Sequence, residues 1–249
     1  MPLKYKLLAL AVVLLFCSSC SSIYLPGVPN TPMLTSKGEF AAGGHVSLRG
    51  NVNFNSAYAF SDHLAAMVNF GSLNSEKRKK DFKHKYFEAG AGYFKTFGPE
   101  NNRILEFYAG MGTASSLRAF REYENDVLVR NDVYDSDYTK MFVQVNYSNK
   151  RTSKVKLLGV DFGLNYGTAW RLSFASTKDF YVNGVPHVNE DNIFIEPVFY
   201  TRMVLSDEFQ LQYTTGSNIG LRSRKFLNAG LSVFTVGAVL NIGGKRKSK

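Results

Sequence analysis

Apolar residues recur at every second position through most of this chain, and the clearest run is 84–115, HKYFEAGAGYFKTFGPENNRILEFYAGMGTAS. Phe87, Ala89, Ala91 and Tyr93 alternate with Glu88, Gly90 and Gly92. Beyond the turn GPENN, Leu105, Phe107, Ala109 and Met111 alternate with Glu106, Tyr108, Gly110 and Gly112. A period of two over this length is a strand with one apolar face and one polar or small-residue face. Two such strands joined by a short turn form an antiparallel hairpin, and each has about the 9–11 residues that cross a bilayer as a tilted strand.

The same period predicts strands at 39–48, 52–60, 64–72, 155–166, 169–177, 192–205, 208–216 and 226–242, the last with a phase slip near Phe234 that suggests a bulge. Residues 140–148 are also strand-like. A full strand there would make the number odd, so the segment is read as an outer extension of 155–166 or a small hairpin above the membrane. Nothing longer than a turn has the 3.6 period of a helix. Short turns at 61–63, 98–102, 167–168 and 206–207 alternate with longer polar connections at 73–82, 116–154, 178–191 and 217–225, the short 49–51 turn being the exception. Tight turns on one side and long loops on the other are the pattern of outer-membrane barrels. The expectation is therefore all-β: an antiparallel up-and-down transmembrane β-barrel over 38–243, of ten strands with eight as the fallback. Its long loop is 116–154, and both ends of the barrel lie on the periplasmic side.

The polar register adds a second argument. Glu39, His45, Arg49, Glu88, Glu106, Asp161, Arg171, Glu196 and Arg202 all fall on the face opposite the apolar one. A sandwich core would bury so many charges only at large cost, whereas a lumen pairs them with each other. A plugged lumen follows, with Arg171 and Arg202 as candidate partners for Glu88 and Glu106.

Residues 1–19 have the anatomy of a secretion signal: Lys4 and Lys6, an apolar run over 7–16 too short for a transmembrane helix, then small residues. Both cysteines, Cys17 and Cys20, stand at its end, which leaves the mature part without a disulfide framework. Cys20, between Ser18-Ser19 and Ser21-Ser22, resembles the processing box of bacterial lipoproteins and is the candidate lipidation site. Cleavage by an ordinary signal peptidase is the alternative. Residues 20–37, with Pro26, Pro29 and Pro32, read as an extended tether with no packed element. SSIYLPG lacks the acidic residues that follow the cysteine in surface-displayed lipoproteins, so the expected anchor is on the periplasmic side. Residues 244–249 are a basic tail.

The segments YLPGVPNTPMLTSKGEF, AYAFSDHLAAMVNFGS and KYFEAGAGYF together resemble short outer-membrane β-barrel lipoproteins of Bacteroidota-type bacteria. The likeness covers the first ~110 residues through motifs and the later strands through pattern. It implies the fold and an outer-membrane location, and carries no catalytic signature.

The net charge of +10 excludes little. Its densest contribution is a basic loop, Lys77, Arg78, Lys79, Lys80, Lys83 and Lys85, suited to lipopolysaccharide phosphates and other outer-membrane lipids. No aromatic stacking positions accompany it, so no nucleic-acid partner is expected. The mixed-charge region 116–154 is a candidate dock for another outer-membrane protein. His45 with Glu39 or Glu88 reads as part of a lumen ion network more readily than as an acid/base pair. His84 and His187, with Ser72, Ser75 and Ser176 in the same zone, have no spacing that makes a His–Ser pair. Neither a catalytic residue, nor a metal, nor a cofactor is expected. The function expected is a non-enzymatic structural or accessory barrel, with a narrow passive channel, a lipid-modifying enzyme and a soluble sandwich lipoprotein as competing readings.

Overall fold

The computed structural model describes residues 22–157, 159–228 and 232–243, so the expected signal peptide 1–19, Cys20 and the tail 244–249 lie outside the described residues. The fold is a closed, antiparallel, ten-stranded β-barrel. Its wall is β1 (Phe40–Ser47), β2 (Val52–Ala59), β3 (Leu64–Lys77), β4 (Lys80–Phe97), β5 (Arg103–Glu124), β6 (Val127–Leu157), β7 (Val160–Val182), β9 (Asp191–Val204), β10 (Phe209–Gly216) and β12 (Val233–Ile242). Two-residue strands β8 (Val185–Pro186) and β11 (Ile219–Gly220) edge the rim. Each wall strand pairs with its neighbours in sequence, and β1 closes the barrel on β12 from Phe40↔Ile242 to Ser47↔Thr235.

Alternation fixes which side of the wall each residue faces. On β4, Phe87 and Tyr93 are exposed on the outside while Tyr86, Glu88 and Phe94 are buried inside. Met141, Val143 and Val145 lie outside β6, over buried Lys140, Phe142, Gln144 and Asn146. An apolar belt continues around the exterior through Val46, Phe54, Val68, Phe107, Trp170, Leu172, Phe199, Leu211 and Val236.

The strand count agrees with expectation because two departures cancel. Residues 140–148 belong to β6, a full wall strand of 31 residues, and β7 runs unbroken through 167–168. What resembled a turn at 149–153 is an irregularity in β6, where the register shifts between Asn149 and Ser153. What resembled a turn at 167–168 is a close approach: a side chain on Gly167 would run into the Tyr147 carbonyl and the Tyr200 ring. The chain reverses instead after β6, at a turn carrying Gly159 with φ 85.

Two of the long polar connections are also strand. The expected loop 116–154 is a tall hairpin of β5 and β6, reversed at Asn125 (φ 47) and Asp126 (φ 65), the left-handed pair that suits tight hairpin turns. The basic segment at 73–82 is likewise the β3–β4 hairpin, paired out to Lys77↔Lys80. The wall is consequently lopsided. β5, β6 and β7 have 22, 31 and 23 residues, against 8 for each of β1, β2 and β10. The expected strand at 226–242 begins only at Val233, and Phe226 instead packs inward, 5.0 Å from Phe180 and 5.1 Å from Tyr134 between ring centres.

The largest departure lies before β1. Residues 22–36 are no free tether. They run inside the barrel, with Ile23, Tyr24, Leu25, Val28, Met33 and Leu34 all buried against the wall.

Candidate functional site

The candidate site is the lumen, and what fills it is the chain's own N-terminal segment. At the short-turn end, the Gly38 amide donates to the Ala59 carbonyl (2.8 Å) and the Lys37 amide to Asp62 (3.2 Å), which sets the entry beside the β2–β3 turn. Glu39 accepts from the Thr35 and Ser36 amides and the Thr35 hydroxyl, so this expected lumen charge ties the foot of the thread. Above it, the Leu34 amide donates to Glu106 (3.3 Å), and Arg202 donates to the Thr31 carbonyl and hydroxyl. Gln144 (2.6 Å) and Asn146 (3.0 Å) both donate to the Asn30 carbonyl, and Asn55 to that of Val28 (3.1 Å). Gly27 passes Tyr86 so closely that a Cβ would sit 2.6 Å from the ring. Tyr24 then stacks on Phe194 at 3.9 Å and donates to Glu196. Ile23 pairs with the Phe226 carbonyl (3.0 Å) and Ser116 (2.8 Å), and the Ser22 hydroxyl reaches the Asn228 carbonyl (2.9 Å) at the opposite rim.

Within this frame the expected charges separate into two groups. Glu88 is held between Lys140 and Arg171 (3.0 Å), with Asn69 donating at 3.2 Å. Arg171 also donates to Gln144 (2.8 Å) and lies over the Phe142 ring at 4.4 Å. Glu196 accepts from Ser173 (2.9 Å) as well as Tyr24. Glu106 meets Asn146 (3.0 Å) and Tyr108 (3.2 Å), while Arg202 bonds to Gln212 (2.6 Å) and Thr31, so the expected Glu106–Arg202 pairing is replaced by contacts through the thread. His45 is buried beside Gly43 and Gly237. Two expected members are corrected: Arg49 is exposed in the β1–β2 turn and Asp161 is exposed at the foot of β7, because both lie beyond the enclosed height of the wall. Sequence reading missed Tyr24, Lys140, Gln144 and Asn146. The last three lie in the polar register of 140–148, a signal that treating the segment as a full strand would have exposed.

Around the buried charges little space remains. The cavity among Asn30, Thr31, His45, Asn55 and Arg202 and the one among Leu25, Tyr86, Glu88 and Lys140 are each about 10 Å³, no more than one water occupies.

At the long-loop rim, His84 points inward and bonds the Tyr138 hydroxyl (2.7 Å), and His187 packs on Phe180 and Phe226. The basic cluster is partly paired: Lys83 with Glu76 (2.6 Å), and Arg78 with Asp126. Residues 222–228 are latched over the mouth by two carboxylates. Glu190 accepts from the amides of Phe226 (3.0 Å) and Leu227 (2.7 Å), and Asp191 binds both Arg222 and Arg224. Hydrogen bonds from Arg222 and then Arg224 hold the Asp191 carboxyl below the ordinary aspartate range. Comparison with known protein families, with curated proteins and with solved structures found no match.

Removing the Glu88 carboxylate leaves two buried cations without their partner, a change that costs about 3–5 kcal/mol. Glu88→Leu is therefore expected to lower the denaturant midpoint of the folded barrel strongly, while Asp161→Leu at its exposed position stays within about 0.5 kcal/mol. Equal losses from the two would place Glu88 outside the network. A second expectation concerns pH. Because the Asp191 pKa is lowered on folding, its latch is complete above the ordinary value of about 4 and weakens only as pH falls below it. A spin label on Ser223→Cys should keep constant mobility from neutral pH down to that value and loosen below it. Asp191→Asn should be loose throughout.

Proposed function

We propose that this chain is a closed outer-membrane β-barrel lipoprotein acting as a structural or accessory subunit, with no enzymatic role. The observation that carries the reading is the combination of an apolar outer face with a lumen occupied by residues 22–36. On β4 the outward residues between Lys85 and Lys95 are Phe87, Ala89, Ala91 and Tyr93, both lysines being exposed. At about 3.4 Å per residue and a tilt of about 40°, that interval spans about 25 Å, the height of the apolar band of membrane barrels. Tyr58, Phe60, Tyr93, Tyr147 and Phe209 lie on the outside toward the short-turn edge of this belt, where aromatic residues mark a membrane interface.

The basic hairpin tip of Lys77, Arg78, Lys79, Lys80 and Lys83 suits anionic lipid headgroups of the outer leaflet, and Lys85 stands at the upper edge of the belt. The β5–β6 hairpin standing above it is the candidate dock for a second outer-membrane protein. Its exposed Val127, Leu128 and Val129 give that tip an apolar strip that solvent alone does not favour.

The channel reading is weakened by the same occupied lumen. Purified protein in planar bilayers is expected to give no discrete conductance steps. Steady steps from the full chain would overturn the closed-barrel reading and favour the passive channel. A mild-detergent pull-down should then recover a stoichiometric outer-membrane partner, and recovery of the chain alone would rule out the subunit role in favour of a free-standing barrel.

A further inference from the structure

The lumen thread has a direction. Its foot, through Lys37 and Gly38, is fixed at the short-turn end beside Asp62 and Ala59. Its head, through Ser22 and Ile23, is fixed to Asn228, Phe226 and Ser116 at the long-loop mouth. The contacts between follow in order. On β9, which descends from Asp191 to Val204, Glu196 meets Tyr24 and the lower Arg202 meets Thr31. The thread therefore crosses the whole enclosed height of the barrel and does not loop back within it.

We infer that the N-terminus leaves the barrel at the long-loop mouth, so that the acyl anchor read at Cys20 is presented on the cell-surface face of the outer membrane, not on the periplasmic face. The inference rests on the outer-membrane lipoprotein reading, in which long loops face outward. Cys20 is two peptide units from Ser22, a path of at most about 7.6 Å. That is far short of the roughly 25 Å of apolar belt separating the mouth from the periplasmic interface. The filled lumen offers no route back. The expectation of a periplasmic anchor came from the missing acidic residues in SSIYLPG. The lumen path overrides it, because the side reached by the N-terminus is set by covalent connection and by the hydrogen bonds along the thread.

The mouth also has a side notch next to the thread. On the low side of the wall, Leu25, Pro26 and Val28 of the thread meet Leu48, Val233 and Phe234 around a notch of about 220 Å³. Leu48 is 88% exposed and Phe234 42%, so the notch joins the interior to the outer apolar face just where the wall is shortest. Ser47, Arg49, Asn51, Ser232 and Thr235 also line the notch, so it offers both apolar and polar groups beside the emerging chain.

The mature barrel has no other cysteine, which makes thiol labelling a direct test. Ser21→Cys, Leu128→Cys at the long-loop tip and Asp207→Cys at a short turn are each treated on intact cells with a membrane-impermeant maleimide, with the unsubstituted protein as background. Ser21→Cys is expected to label as fully as Leu128→Cys, and Asp207→Cys only after permeabilisation. Ser21→Cys labelling only together with Asp207→Cys would overturn the inference and leave the barrel reading standing. Leu128→Cys and Asp207→Cys labelling alike would overturn the outer-membrane reading and the inference with it. Where the acyl chains shield the thiol, a short epitope between Cys20 and Ser21, probed with an impermeant antibody in protein that keeps heat-modifiable migration, separates the same outcomes.

Discussion

An extended segment buried inside a closed barrel has peptide groups that no strand can pair, since every wall strand is already paired on both edges, and buried peptide groups left unpaired are costly. The lumen of this protein is organised around that constraint. Pro26, Pro29 and Pro32 remove three amide donors from the thread and favour the extended conformation it needs. Four of its carbonyls are met by donors from the wall: Ser116 to Ile23, Asn55 to Val28, Gln144 and Asn146 to Asn30, and Arg202 to Thr31. Near the ends, the amides of Leu34, Thr35, Ser36 and Ile23 find Glu106, Glu39 and the Phe226 carbonyl.

The charges of the lumen follow from the same need. Glu88 pairs with both Arg171 and Lys140, and Arg171 in turn orients the Gln144 amide, whose other end holds Asn30. Glu196 fixes Tyr24, which stacks on Phe194 and closes the upper end with Phe226 and Leu227. A buried ion pair contributes little net stability by itself. Here the pairs hold hydrogen-bond donors in place for a segment that has no regular structure of its own. Tall β5, β6 and β7 extend this packed interior beyond the belt, and the latch of Glu190 and Asp191 covers its open side.

The period of two made most of the barrel legible. The 84–115 hairpin, its outward Phe87, Tyr93, Phe107 and Met111, and its inward Glu88 and Glu106 stand as the alternation implies. Where reading failed, a local feature imitated a boundary. Gly167-Thr168 looks like a turn but marks where β7 passes close to Tyr147 of β6 and Tyr200 of β9, and the β6 irregularity after Asn149 looks like a loop. Polar residues above the belt read as loops because both faces of a strand in water are free to be polar. The thread was the hardest to see. Its prolines correctly indicated an extended chain, but extension alone does not distinguish a segment in solvent from one in a lumen. The distinction lay in complementarity with Asn55, Gln144, Asn146 and Arg202, residues on strands far away in sequence.

A polar lumen has two physical explanations, and they support different functions. In a conducting barrel the inward polar groups face water and stay free to exchange partners with a passing solute. In this one, Gln144, Asn146, Arg202 and Glu196 bond to the thread, the spaces beside Arg202 and Glu88 are about 10 Å³ each, and the larger notch at Leu25 and Val28 opens at the upper side. Opening a path would require breaking those bonds together and returning Tyr24 and Leu34 to water from sites where neither has any exposed surface. The polar residues that in another barrel would argue for transport thus hold the thread in this one, and the lumen is closed by the chain's own N-terminal segment.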